Sequence, residues 1–151
     1  MSIEDRLTEL GITLPDAPAP AANYVPFVRS GNLVFISGQI SADENGLIIG
    51  KLGENMETEA GAAAARRCGL ALIAQLKSAI GSLDKVKRVV KLSGFVNSTP
   101  DFIEQPKVVN GCSDLMVEIF GDAGRHARAA VSAPSLPLGV AVEIEAIFEV
   151  E

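Results

Sequence analysis

The sequence has 151 residues, 48% of them hydrophobic and 21% charged, which suits one compact domain with a real core and excludes a largely disordered chain. Nineteen acidic residues against 13 basic ones leave a formal charge of −6, with no general electrostatic footprint for nucleic acid. One histidine, two cysteines and no tryptophan exclude a zinc site built on several histidines, a pair of histidines acting as acid and base, and a disulfide framework.

Ser2 to Leu10 predicts a short helix, with Ser2 as N-cap, Asp5 at a capping-box-like position and Gly11 as its stop. The run Pro15-Asp-Ala-Pro-Ala-Pro20 forbids regular structure and reads as an extended connector. It divides an N-terminal segment, residues 1–20, from a main domain at 21–151. Phe27 to Arg29 and Leu33 to Ile36 predict a hairpin turning at Ser30-Gly31-Asn32, with Ser37-Gly38-Gln39 ending the second strand. Asp43 to Gly46 is a turn before a short third strand, Leu47 to Ile49.

Thr58 to Ile80 is the longest helical pattern. Ala65, Gly69, Leu72, Leu76 and Ile80 recur at three- and four-residue spacing, which makes one buried stripe. The small residues Gly61 to Ala64 allow close approach, and Gly81 terminates the helix. Val86 to Val96 reads as a strand. A second helix begins near Gln105 or Pro106, since proline is tolerated in a first turn, and runs through Val108, Cys112, Leu115 and Ile119 to Gly121. Strands at Ala127 to Ala133 and Val140 to Val150 close the chain. The resulting order, ββ(β)αβαββ, is simplest as two helices on one face of a mixed sheet of four to six strands. The last strand then alternates Val142, Ile144, Ala146 and Phe148 with Glu143, Glu145, Ile147 and Glu149. Two helices cover one sheet face only, so the other is expected to be closed by another subunit.

The N-terminus lacks a basic region followed by an apolar one, and the apolar stretch Gly69 to Ala74 is far too short to span a membrane. A soluble, cytosolic protein is expected, with Cys68 and Cys112 as small reduced core residues. P-loop and dinucleotide glycine patterns are absent. His126 precedes a strand and has no Gly-x-Ser-x-Gly elbow to pair with, so it reads as a surface or strand-entry histidine. Arg128 alternates with Ala127 and Ala129. Its guanidinium could enter a small cleft and take a carboxylate, although alternation alone favours a solvated strand face. Glu143 reads as a positioned acid, a Coulombic partner of Arg128, or an exposed strand residue. Tyr24 is the sole tyrosine, and Ser37-Gly38-Gln39 gathers a hydroxyl, a close-approach glycine and an amide at a strand end.

Gly31-Asn-Leu-Val-Phe-Ile-Ser-Gly-Gln39, Val109-Asn110, Ala127-Arg-Ala-Ala-Val131, Leu136-Pro137 and Val142-Glu-Ile-Glu-Ala-Ile147 together resemble the YjgF/RidA family, also called endoribonuclease L-PSP or translation-inhibitor-like proteins. The resemblance extends from Tyr24 to Glu151 and implies a chorismate-mutase-like α+β fold, assembled as a homotrimer with a barrel-like centre and clefts between subunits. It implies hydrolysis of 2-aminoacrylate-type imines and enamines to 2-keto acids and ammonia, with no metal or organic cofactor. Residue by residue, Arg128 matches the arginine that grips the substrate carboxylate, and Glu143 the acid that positions or activates water. Tyr24, Ser37 and Asn110 match residues lining the cleft. Ala130 stands where many members carry cysteine, which leaves a backbone role intact and removes any thiol role. Two other readings follow: a non-catalytic trimer binding small carboxylates or a partner protein through the same clefts, and a ribonuclease. The acidic balance and single histidine argue against the last.

Overall fold

A hydrogen bond from the Asp5 N–H to Ser2 Oγ caps the first helix, α1 (Ile3–Glu9). The computed structural model describes residues 1–17 and 23–151, so the end of the proline-rich connector and the division expected at residue 20 lie outside the described residues. Helix α1 turns Leu7 into the core, and Arg6 Nε donates to the Glu118 carbonyl at 2.9 Å. Strands β1 (Phe27–Ser30) and β2 (Leu33–Ile40) form the expected hairpin, turning at Gly31 with φ +60°.

Strand β2 does not end at Ile36. It runs on to Ile40 through a bulge, because Ile36 faces Ala146 whereas Gln39 faces Ile144, one residue more than the partner strand supplies. The third strand is shorter than expected. Strand β3 (Ala42–Asp43) pairs with β4 (Gly46–Leu47), while Ile49 makes only an isolated bridge to Val140.

Helix α2 (Thr58–Ile80) has the expected bounds, and all five stripe positions are buried. Strand β5 (Val86–Asn97) leads to α3 (Gln105–Phe120), with Pro106 in its first turn. A Cβ at Gly111 would lie 1.9 Å from the Ala62 carbonyl oxygen, so the backbones of α2 and α3 touch there and only glycine fits. Strands β6 (Ala127–Ala133) and β7 (Val142–Val150) follow, β7 starting two residues later than expected because the chain first makes a tight turn at Pro137–Gly139.

The main sheet has the order β1-β2-β7-β5-β6, antiparallel except for the β5–β6 pair. Helix α2 covers β2 and β7, and α3 covers β5 and β6, all on one face. The mixed α+β architecture is thus the expected one. Between the layers lie Val34, Ile73, Leu76, Leu92, Leu115, Met116, Ile144 and Phe148, each worth about 1.5–3 kcal/mol when fully buried. No helix of the described residues covers the opposite face. Across it runs a row of facing residues, Val28, Phe35, Ile147, Lys91 and Ala127, of which Val28 and Phe35 are exposed.

Candidate functional site

Arg128 occupies β6 opposite Leu92, a core residue, so its side chain lies on the sheet face covered by α3. The solvated-face reading of Arg128 therefore does not hold: the parallel β5–β6 pairing brings this face against the helix. Asn110 and Ser113, three residues apart on α3, share the helix face that meets the arginine. Arg128 Nη1 donates to Asn110 Oδ1 at 2.8 Å and to Ser113 Oγ at 3.1 Å. Both acceptors are neutral. They use the two N–H bonds of Nη1 and leave the Nε–H and Nη2–H pair without a partner among the described residues. That edge matches a carboxylate in a bidentate pair. Two other arginines differ: Arg66 is paired with Glu118 at 3.2 Å and Arg67 with Glu44 at 3.7 Å.

A second group sits around the β2 bulge. Ser37 Oγ donates to the Val25 carbonyl at 2.7 Å, and the Ser37 N–H to the Pro26 carbonyl at 2.9 Å, which ties the chain after Tyr24 to the strand. Tyr24, Gly38 and Gln39 line a cavity of about 930 Å³ with Leu14, Ala42 and Arg67. Glu143, paired in register with Ile40, reaches the bulge from β7. A Cβ at Gly38 would lie 2.2 Å from Glu143 Oε2, so the glycine supplies the close approach expected of it. Glu143 is half-buried and accepts no hydrogen bond from a described residue. Burial raises its pKa above the usual carboxylate value, and neighbouring Glu145 adds to the shift.

The six residues singled out from sequence thus fall into two groups. Arg128 and Asn110 are in contact, with Ala130 half-buried on the same face of β6. Ser37 lies on β2 with Tyr24 just ahead of β1, and Glu143 lies on the central strand β7, on the face opposite the helices. Strands β2 and β6 are three strand spacings apart, about 14 Å. Glu143, two spacings from β6, is on the opposite face of the sheet from Arg128 and is no Coulombic partner of it within one chain. One small ligand cannot touch both groups of a single copy.

Two residues of the arginine cluster escaped sequence reasoning. Ser113 Oγ lies 2.9 Å from His126 Nε2, and His126 Nδ1 lies 2.6 Å from the Gly124 carbonyl oxygen. His126 is a strand-entry histidine as expected, but both of its nitrogens are engaged. The signals were its even spacing from Arg128 and the three-residue step from Asn110 to Ser113. The cysteines take no part: burial pushes the Cys112 thiol up to about 12 and raises Cys68 well above its ordinary value.

Residues 4–149 match a family described as "YjgF/chorismate_mutase-like, putative endoribonuclease". Protein TCP17 of Trypanosoma cruzi is 51% identical over 145 residues, covering 95% of this chain and 91% of that protein. The 2-iminobutanoate/2-iminopropanoate deaminase of Dermatophagoides farinae is 31% identical over 143 residues, covering 93% and 95%. The crystal structure of Atu1372 from Agrobacterium tumefaciens superposes with a TM-score of 0.91 at 46% identity, covering 99% of this chain and 94% of that one. The chain belongs to the YjgF/RidA family.

Proposed function

We propose that this protein is a cytoplasmic homotrimeric hydrolase that converts small 2-imino and enamine carboxylates to 2-keto acids and ammonia. One observation carries the reading: Arg128 is held by neutral acceptors on Nη1 alone, so its full charge and a bidentate edge stay available to a substrate carboxylate. The relative from Dermatophagoides farinae, a deaminase of such imines by name, supports the reaction class.

The separation of the two groups supports assembly. If the β6 edge of one copy meets the β1–β2 edge of the next, Arg128 and Asn110 face Tyr24, Ser37 and Glu143 across the boundary. The helix-free sheet faces, with Val28, Phe35 and Ile147, then close on a shared centre. Arg128 anchors the carboxylate and fixes the imine carbon against a water on Glu143, which lowers the entropic part of the barrier. Water attacks the protonated imine carbon as the C=N electron pair moves to nitrogen, and Glu143 takes the water proton. The raised pKa of that carboxyl suits its return of the proton to the departing amine. The C–N bond breaks as the hydroxyl oxygen's electron pair forms the C=O, the hydroxyl proton passes to the released ammonia, and keto acid and ammonium leave. Ala130 has no thiol, so its contribution is confined to backbone and shape.

The experiment is ammonia and keto-acid release from imines generated in situ by an amino-acid oxidase or dehydratase. Arg128→Ala is expected to cost about 2–5 kcal/mol in kcat/KM. Equal rates for the variant and the parent would remove Arg128 from this role. Binding of 2-oxobutanoate without turnover of any imine would instead favour a carboxylate-binding trimer.

A further inference from the structure

We infer that Ser113 and His126 are positioning residues that select which edge of the Arg128 guanidinium meets the ligand, an inference that rests on the carboxylate-binding reading above. A serine hydroxyl carries one proton and two lone pairs and rotates freely, so it is a dependable acceptor only when its proton is engaged elsewhere. Here the sequence of contacts fixes that proton. The Gly124 carbonyl can only accept, so His126 Nδ1, 2.6 Å away, is the protonated nitrogen. In the neutral ring Nε2 is then an acceptor, and Ser113 Oγ–H donates to it at 2.9 Å. The lone pairs of Ser113 are left facing Arg128 Nη1 at 3.1 Å. The direction runs from arginine to serine to imidazole nitrogen, and from the other imidazole nitrogen to the main chain.

The ends of this relay are rigid. A Cβ at Gly124 would lie 2.3 Å from the Met116 carbonyl oxygen, so the turn Gly121–Gly124 is pressed onto the α3 backbone. Ser113 stands two residues beyond Gly111, where α3 is pressed onto α2. With Asn110 and Ser113 both accepting from Nη1, rotation of the guanidinium plane would break two hydrogen bonds together. The Nε–Nη2 edge is thereby the one presented. No carboxylate takes part, so the orientation is fixed without neutralising the charge.

Two measurements test the inference. The first is calorimetric titration of the full chain with 2-oxobutanoate as the probe. Ser113→Ala is expected to weaken binding about tenfold, the loss of one hydrogen bond to a charged group, while Ser113→Thr, which keeps the hydroxyl, binds near the parent value. His126→Phe, which leaves the serine proton unclaimed, is expected to weaken binding a few-fold. In an Arg128→Lys background, which binds more weakly and has no planar edge to select, Ser113→Ala is expected to have no further effect. Parent-like binding by Ser113→Ala, or an undiminished tenfold loss in the Arg128→Lys background, overturns the inference. If Arg128→Lys itself binds as the parent does, the functional reading falls and this one with it. If only the Ser113 and His126 variants are silent, this inference falls alone. The second measurement needs no variant. The protein has a single histidine, so its imidazole 15N spectrum is read directly. A proton on Nδ1 supports the relay, and one on Nε2 overturns it.

Discussion

The β6 cluster and the bulge between β2 and β7 treat charge in opposite ways. At β6 a cation is held by two neutral residues on a helix locked by helix–helix and turn–helix contact, and its orientation is settled before any ligand arrives. At the β2 bulge an acid is brought against a glycine, accepts no hydrogen bond from a described residue, and is destabilised by burial and by Glu145. The first arrangement suits a group that must bind and stay charged. The second suits a group that must pick up and release a proton. The contrast also shows how one fold divides its labour: preorganisation is built where two helices and a strand converge, and pKa tuning where a strand is irregular.

The sharpest way to break the β6 cluster is at its support. Gly111→Ala places a methyl inside the Ala62 carbonyl, so α2 and α3 must part, and a loss of about 3 kcal/mol or more is expected in urea unfolding. Unchanged stability would show that the helices tolerate separation and that the arginine cluster is not held by them. Asn110→Asp keeps the shape and adds a charge. It is expected to pair with Arg128 and weaken 2-oxobutanoate binding about tenfold or more, with the thermal midpoint kept or raised. Tighter binding would contradict the importance of neutral acceptors.

At the bulge, Gly38→Ala meets only the far end of a flexible side chain, so Glu143 swings aside and the fold survives. Loss of kcat with KM retained is expected in the imine assay, since the carboxylate anchor is untouched. The smallest effect is on stability and has a definite sign. A carboxyl whose folded pKa is raised opposes folding when ionised, so Glu143→Gln is expected to stabilise the protein at neutral pH. The gain should shrink as pH falls through the raised folded value and vanish below the unfolded one. A gain that persists in acid would assign it to packing rather than to charge.

Much of this architecture was legible in the residues. The α2 stripe and Gly81 gave the helix its bounds, and alternation in the last strand separated Ile144 and Phe148 from Glu143 and Glu145. The bulge was not legible, because an extra residue between Ile36 and Gln39 changes register without changing composition. Strand order was not legible either: β7 lies between β2 and β5, far away in sequence. For the same reason Arg128 looked solvated. Only the parallel pairing with β5 places its face under α3, and only then do Ser113 and His126 become its neighbours. The family resemblance supplied Arg128, Asn110 and Glu143 together, but their division between the two faces of the sheet had to come from the fold.

Strand β6 ends the sheet order, and its seven residues, Ala127 to Ala133, include a single charge. A terminal strand of alanine, valine and serine offers an unpaired hydrogen-bonding rim on which another chain can stack and propagate aggregates, and a charged side chain is a usual deterrent. Arg128 is the one charge that β6 carries against such stacking. Its removal takes away the ligand anchor and the guard of that rim together.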